Sequence, residues 1–315
     1  MTKISSFVKL VRHNTGAILP AVFYNLNNIG LFRWLPDKLF LSFAYRICTG
    51  KIMNWKKPEL FTEKIQWLKL YQRNEDYTRM VDKVAAKEYV REKIGGKYII
   101  PTLGVWSSFD EIDFDSLPDR FVLKTNNGSG SNSVIICKNK ETFDKREARI
   151  KLNNSLYKNT YYDLREWPYK NIKPCIFAEK YLEENNDKSI SLEYLTDYKF
   201  FCFGGDPMYC QVIKGRSNNE TIEFYDKNWV KQPFIGLNPL ANPSELKAKQ
   251  PLRYDEMLNI ASILAKELPF VRIDLYECNS NVYFGEITLY PASGLGHFNP
   301  DKYDSVLGNL ISLPS

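Results

Sequence analysis

Histidine is nearly absent. The 315-residue chain has two, His13 and His297, too few for a Ser-His-Asp triad or an ordinary zinc site, so carboxylates, lysines and arginines must carry any chemistry. The six cysteines (Cys48, Cys137, Cys175, Cys202, Cys210, Cys278) include no C-x-x-C pair, and most stand in apolar, strand-like runs. They read as reduced core side chains. Long apolar runs are missing as well: Asn25, Asn27, Asn28, Arg33 and Asp37 interrupt the N-terminal stretches before they reach membrane-spanning length. With no secretory signal visible, a cytoplasmic protein is expected. Internal repeats, low-complexity linkers, the Walker pattern G-x-x-x-x-G-K-[ST] and the dinucleotide fingerprint are all lacking.

Acidic residues are scarce in one place. Residues 1–51 hold seven Lys/Arg against one acid, Asp37, while the remainder has 36 of each sign, so the whole net charge of +6 is N-terminal. Aromatic and aliphatic side chains at helix-like spacing run through the same segment, among them Phe7, Phe23, Phe32, Trp34 and Phe40. Such helices suit an anionic membrane surface, or equally a packed position on the main body with the basic face in water. Nucleic acid is not expected, because no recognised module accompanies the charge.

What is present in quantity is core material: 44% hydrophobic and 14% aromatic residues, enough for a sizeable interior and more than one domain or subdomain. Helical spacing appears over 54–73 (Ile65, Trp67, Leu68, Leu70) and about 77–93 (Met80, Val81, Val84, Ala85, Val90), where Lys83 and Lys87 project away from the apolar side; Gly95-Gly96 ends the second. Residues 121–125 and 133–138 read as strands joined by the flexible loop Asn126-Asn-Gly-Ser-Gly-Ser-Asn132. Backbone N–H groups of such a loop can cover phosphate oxygens with Lys124 at its base, although the same loop also serves as a plain hairpin connection. A polar helix at 141–152, a strand at 175–182, strands at 194–203, 209–214 and 221–225 around a Gly204-Gly205-Asp206-Pro207 turn, and a helix at 254–268 follow.

The last hairpin, 271–291, is the most site-like stretch. Arg272 and Asp274 alternate with Val271, Ile273 and Leu275, and Glu286 and Thr288 lie between Phe284, Ile287 and Leu289. Pairing brings the two polar faces together, giving hard oxygen ligands without imidazole, which suits magnesium. An ordinary half-exposed hairpin with a charged outer face has the same pattern.

The order of these pieces resembles the ATP-grasp fold: a lysine-bearing helix, a lysine strand with a glycine-rich tip, a strand closing on Glu-Lys-Tyr-Leu, a second lysine strand, then Arg-x-Asp followed by Glu-x-Thr. The closer likeness is to the TupA-like (teichuronopeptide-biosynthesis-like) branch. It is carried by Trp34-Leu-Pro-Asp-Lys38, Phe61-Thr-Glu-Lys-Ile-Gln-Trp-Leu-Lys-Leu-Tyr71, Asp82-Lys83, Phe121-Val-Leu-Lys124, Asp197-Tyr-Lys-Phe200 and Gly285-Glu-Ile-Thr-Leu-Tyr-Pro-Ala-Ser-Gly294. The resemblance implies an α+β architecture in which two subdomains clamp ATP: a helical N-terminal extension at 1–73, then an ATP-grasp domain at 74–315 with a lid at about 120–182 and a metal-binding part at about 183–315. It further implies that Lys83 and Lys124 hold the α- and β-phosphates, and that Gly128, Ser129, Gly130 and Ser131 close over the β- and γ-phosphates. Glu179, Lys180, Tyr181 and Leu182 would meet adenine, with Glu184 on the ribose. Lys199 and Arg272 would act on the transferring phosphoryl group, and Asp274, Glu286 and Thr288 would bind Mg2+. Thr288 departs from the superfamily pattern, which usually has Asn there.

The implied reaction is ligation of a carboxylate to an amine through an acyl phosphate, with a sugar acid of a bacterial surface polysaccharide and an amino acid or amino alcohol as substrates. Peripheral contact with a membrane or a lipid-linked polysaccharide would give the basic N-terminus a use. Glycosyltransfer from a nucleotide sugar is the competing expectation.

Overall fold

The structure is a computed structural model that describes residues 18–128, 133–183, 195–214, 221–237 and 247–314. Its helices, among those residues, are α1 (Ile18–Asn28), α2 (Asp37–Thr49), α3 (Phe61–Tyr71), α4 (Glu75–Val81), α5 (Ala85–Ile94), α6 (Lys145–Leu156), α7 (Tyr161–Leu164), α8 (Tyr254–Ala265) and α9 (Lys302–Asn309). The sequence predicts one helix over 77–93. Two form instead, because the Asp82 carboxylate accepts from the N–H groups of Val84 and Ala85 at 2.9 and 3.2 Å and caps a new start. Lys83 therefore stands on the break between α4 and α5, with its N–H given to Asn126 O at 3.3 Å.

The smaller sheet has the order β1-β4-β2-β3, from β1 (Thr102–Trp106), β2 (Phe121–Thr125), β3 (Val134–Cys137) and β4 (Ile176–Lys180), all antiparallel. Period-2 alternation sends Phe121, Leu123, Ile176 and Ala178 to one face, where Leu152 and Leu156 of α6 complete a core. Val122, Lys124, Phe177 and Glu179 alternate with them on the other face, which is the one turned to the candidate site.

The larger sheet runs β10-β9-β5-β6-β7, from β5 (Asp197–Phe203), β6 (Asp206–Lys214), β7 (Thr221–Asp226), β9 (Phe270–Cys278) and β10 (Asn281–Thr288). The short strands β8 (Ile235–Gly236) and β11 (Phe298–Asn299) pair separately. Strand β6 starts at Asp206 and pairs Pro207 with Cys202, so the expected four-residue turn shrinks to Gly204 and Gly205, with φ of 56° and 90°. Helix α8 covers the face bearing Tyr198, Phe200, Ile273 and Leu275, with Tyr254 at 5.9 Å from the Phe200 ring. The opposite face is divided: Phe203 and Phe270 pack against Phe61 of α3 at one end, with Phe201 against Phe270, and Lys199, Arg272, Asp274 and Glu286 occupy the other.

Helices α1 and α2 build a third core from Phe23, Phe40, Leu41, Ala44 and Tyr45. They are fastened to the main body through Arg165, which is 1% exposed, lies 4.3 Å over the Phe40 ring and donates to Phe32 O at 2.9 Å. Asp37 accepts from Tyr161 Oη at 2.6 Å and pairs with Arg73 at 2.6 Å. Among the described residues no helix is long and apolar enough to cross a membrane. All six cysteines are free, four of them buried, as expected of core thiols.

Candidate active site

Register places three charged side chains in one row across the larger sheet. Lys199 of β5 stands opposite Asp274 of β9, and Asp274 opposite Glu286 of β10. The β9–β10 ladder slips by one residue between Phe284 and Glu286, and the slip carries Glu286 into the row. Gly285 permits it: a Cβ there would lie 2.7 Å from the Tyr276 ring and 3.0 Å from Asp274 O.

Arg272 ties the row together. Its Nε and Nη2 donate to the two Asp274 oxygens at 2.6 and 2.7 Å, and Nη2 also reaches Glu286 Oε1 at 2.9 Å and Thr288 Oγ1 at 3.0 Å. Lys199 Nζ donates to Asp274 Oδ2 and lies 3.9 Å from Asp197. Burial pushes the Asp274 carboxyl up while Arg272 and Lys199 pull it down, and burial wins. At Glu286 burial is outweighed by Lys83, Lys199 and Arg272, which hold the carboxyl far below the ordinary range. Asp274, Glu286 and Thr288 thus aim three oxygens at one point, the place of a single guanidinium nitrogen. That donor set fits a hard divalent cation completed by phosphate oxygens, whereas no group of three or more His, Cys, Asp and Glu side chains forms a protein-only cage among the described residues.

The second half of the site comes from the smaller sheet. Glu179, 5% exposed, is held between two lysines, Lys87 of α5 at 2.6 Å and Lys124 of β2 at 2.5 Å. Their charges keep its carboxyl low despite burial. Lys87 also donates to Ile100 O at 2.9 Å and Thr102 Oγ1 at 2.7 Å. Lys83 donates to Gly128 O at the glycine-rich tip. Burial lowers its pKa, Lys124 adds to that, and Glu286 opposes it. Lys83 therefore reaches from the hairpin tip towards the carboxylate row.

Of the residues singled out in the sequence, Lys83, Lys124, Gly128, Glu179, Lys199, Arg272, Asp274, Glu286 and Thr288 converge in this way. Tyr181 and Leu182 are buried beyond the end of β4, and Leu182 packs with Ile100 and Cys278. Lys180 is exposed, and its N–H is taken by Pro101 O at 2.9 Å. Ser129, Gly130, Ser131 and Glu184 lie outside the described residues. Sequence reasoning gave no role to Lys87, whose signal was its position one helical turn after Lys83. It quoted Lys69 only within the Phe61–Tyr71 motif and gave it no role of its own, since its partner Ser293 comes from a distant segment.

Comparison with known proteins gives the family. A profile of the TupA-like ATP-grasp family matches residues 63–312. Among curated proteins none matches the chain. Solved structures similar to it include D-alanine–D-alanine ligase from Bacillus anthracis complexed with ATP, 18% identical, covering 67% of this chain and 53% of that one with a TM-score of 0.36. The corresponding ligase from Helicobacter pylori is 15% identical, covering 80% and 69%, with a TM-score of 0.41. The ATP-grasp ligase PsnB, complexed with a precursor variant, Mg and ADP, is 10% identical, covering 72% and 57%, with a TM-score of 0.38. The chain thus spans little more than half the length of some of the ligases it resembles. With the profile covering most of the sequence and the α+β topology on the page, the chain belongs to the TupA-like ATP-grasp family.

Proposed function

We propose that the protein is an ATP- and magnesium-dependent carboxylate–amine ligase that forms an amide through an acyl phosphate. The observation that carries this is the Lys199–Asp274–Glu286 row, bound through Arg272 and faced by Lys83, Lys124 and the Gly128 tip. Lys83 and Lys124 would hold the α- and β-phosphates, and Lys199 and Arg272 would neutralise the phosphoryl group as it passes to the substrate carboxylate. Asp274, Glu286 and Thr288 would hold magnesium, which when bound supplies charge neutralisation for the phosphates. The Glu179 carboxylate orients Lys87 and Lys124, so adenine would be met by backbone groups of the 180–182 segment. The smaller sheet would act as the lid.

On this view the carboxylate belongs to a sugar acid of a bacterial surface polysaccharide and the amine to an amino acid or amino alcohol, as the TupA-like affiliation suggests. Contact with a membrane or lipid-linked acceptor is supported by the N-terminal helices. Ten of the nineteen exposed large hydrophobic side chains among the described residues lie between Ile18 and Ile52, Trp34 at 77% and Leu19 at 68% exposure. The test is incubation with ATP, magnesium, a uronic acid and an amine, scored for ADP, phosphate and amide, beside a parallel incubation with UDP-sugars. Release of ADP that depends on the carboxylate supports ligation; release of UDP without ADP replaces it by glycosyltransfer.

A further inference from the structure

Asn126 stands just past the end of β2, 2% exposed, and uses every hydrogen-bonding group it has. Its N–H donates to Cys175 O at 3.1 Å, which continues the β2–β4 ladder beyond Thr125 and Ile176. In a regular antiparallel rung the Cys175 N–H would return to Asn126 O. Here it turns to the side chain, Asn126 Oδ1, at 2.8 Å. The released carbonyl accepts instead from the Lys83 N–H at 3.3 Å.

The Asn126 amide nitrogen closes the arrangement. Nδ2 donates to Lys173 O at 3.0 Å and to Asp82 Oδ2 at 2.8 Å, while Asp82 Oδ1 caps α5. With an N–H on one side and a carboxylate and a carbonyl on the other, the amide has one orientation that satisfies all its partners. Asp82 and Asn126 thereby hold the main chain of Lys83 between them, and the Lys83 ammonium group donates to Gly128 O, two residues beyond Asn126. Asn127, 3% exposed, fixes the residue in between: its Nδ2 donates to Lys158 O at 3.1 Å and its O accepts from Thr160 Oγ1 at 2.8 Å. Lys83 is therefore tied at its main chain and at the end of its side chain to one three-residue segment of the smaller sheet.

We propose that Asp82 and Asn126 are positioning residues for nucleotide binding: the bond between their side chains sets Lys83 against the glycine-rich tip, so that both meet the phosphates of one nucleotide. The inference rests on the assignment of Lys83 to the phosphates made above. A free lysine side chain loses much rotamer freedom when a ligand fixes it. Lys83 starts instead from a main chain tied to the strand that carries Lys124, two residues before Asn126, and the two ammonium groups are presented together. Asp82 is itself an anion beside a site for anions, where by charge alone it would weaken phosphate binding. What it contributes is geometry.

Charge and geometry act in opposite directions in Asp82→Asn, which makes it the test. Asparagine caps α5 as well as aspartate does but presents N–H in place of oxygen to Asn126 Nδ2. The dissociation constant for ATP with magnesium, from titration calorimetry on the full chain, is expected to rise about tenfold, whereas loss of the charge alone would lower it. In a Lys83→Met background the same substitution is expected to change it by less than about twofold, because the effect passes through Lys83. Asn126→Asp, which keeps the Cys175 bond, gives a second comparison against Lys83→Met. The exchange Asp82→Asn with Asn126→Asp re-forms the bond with donor and acceptor reversed and is expected to recover most of the affinity. A merely structural bond would lower Tm and leave the affinity of the folded protein as it was. Unchanged or tighter ATP binding in Asp82→Asn, an equal loss in the Lys83→Met background, or an exchange variant no better than Asp82→Asn overturns the proposal. Wild-type protein that binds no ATP removes the nucleotide assignment of Lys83 and this inference with it.

Discussion

Asp274 and Glu286 look alike in sequence but differ in what folding asks of them. Asp274 is 1% exposed and stands between Lys199 and the Arg272 fork. Asp274→Asn leaves two buried cations with no carboxylate between them, and removing one partner of such a pair costs about 3–5 kcal/mol. At roughly 2 °C per kcal/mol for a chain of this size, Tm should fall by about 6–10 °C. The Glu286 side chain is 37% exposed and accepts from Arg272 at 2.9 Å and from Thr288 Oγ1 at 3.3 Å. Screening by solvent therefore keeps the cost of Glu286→Gln below about 1 kcal/mol. Both variants should lose at least about 10²-fold in ADP release, because each removes a charge from the phosphoryl site. Calorimetry and a coupled ADP assay measure the two effects side by side. The double variant Lys199→Met with Asp274→Asn deletes one uncompensated cation and should recover about half of the lost Tm without recovering activity. A stable Asp274→Asn protein, or a double variant that merely adds its losses, would refute the account of the row.

Gly128→Ala should lower Tm by the equivalent of about 1–3 kcal/mol and raise the KM for ATP, since its Cβ would lie 2.1 Å from Ser133 Cβ and 2.6 Å from Thr125 Oγ1. An unchanged Tm would show that the tip relaxes freely. Glu179→Gln strands Lys87 and Lys124 together and should cost about 3 kcal/mol or more, with a several-fold weaker KM for ATP; a tighter KM would mean that Glu179 only competes with phosphate. For the N-terminal helices, the full chain should co-sediment with vesicles containing anionic phospholipid at low salt and release at high salt. Leu19→Ser with Trp34→Ser should weaken binding by roughly tenfold or more while ADP release with soluble substrates stays the same; indifference to both salt and substitution would leave that face to water.

Much of the larger sheet was legible because its signals are local. Alternation along 271–289 gave the hairpin and the side on which Arg272, Asp274, Glu286 and Thr288 meet, and the turn chemistry gave Gly204-Gly205. The one-residue slip before Glu286 was not, because it depends on how closely Gly285 approaches Tyr276 across the ladder. The break at Asp82 was hidden by apolar spacing that continues through it, and what ends α4 is a side-chain cap together with a bond to Asn126. The burial of Lys69 carries no local signal. A lysine at helical spacing in a polar-apolar repeat reads as a solvated one, and only the approach of Ser293 turns Lys69 into a buried donor.

The cations of the candidate site already have anionic partners. Lys124 and Lys87 share Glu179, and Lys199 and Arg272 share Asp274. On the proposed reading a triphosphate would bring several negative oxygens to the same nitrogens, and its binding would be an exchange of partners more than the neutralisation of bare charge. In such an exchange the carboxylates keep the lysines extended into the cleft at little net cost, because each pair is preformed and a hydrogen-bonded geometry is kept. Lys83 differs: it is held by a neutral carbonyl, Gly128 O, and feels Glu286 from a distance. It is the cation with least to give up, and its bond to the glycine-rich tip means that a phosphate drawing Lys83 inward draws the tip with it. On the proposed reading, capture of the nucleotide would pull Gly128 along with Lys83, and Lys83→Met would weaken ATP binding while leaving the Lys199–Asp274–Arg272 contacts in place.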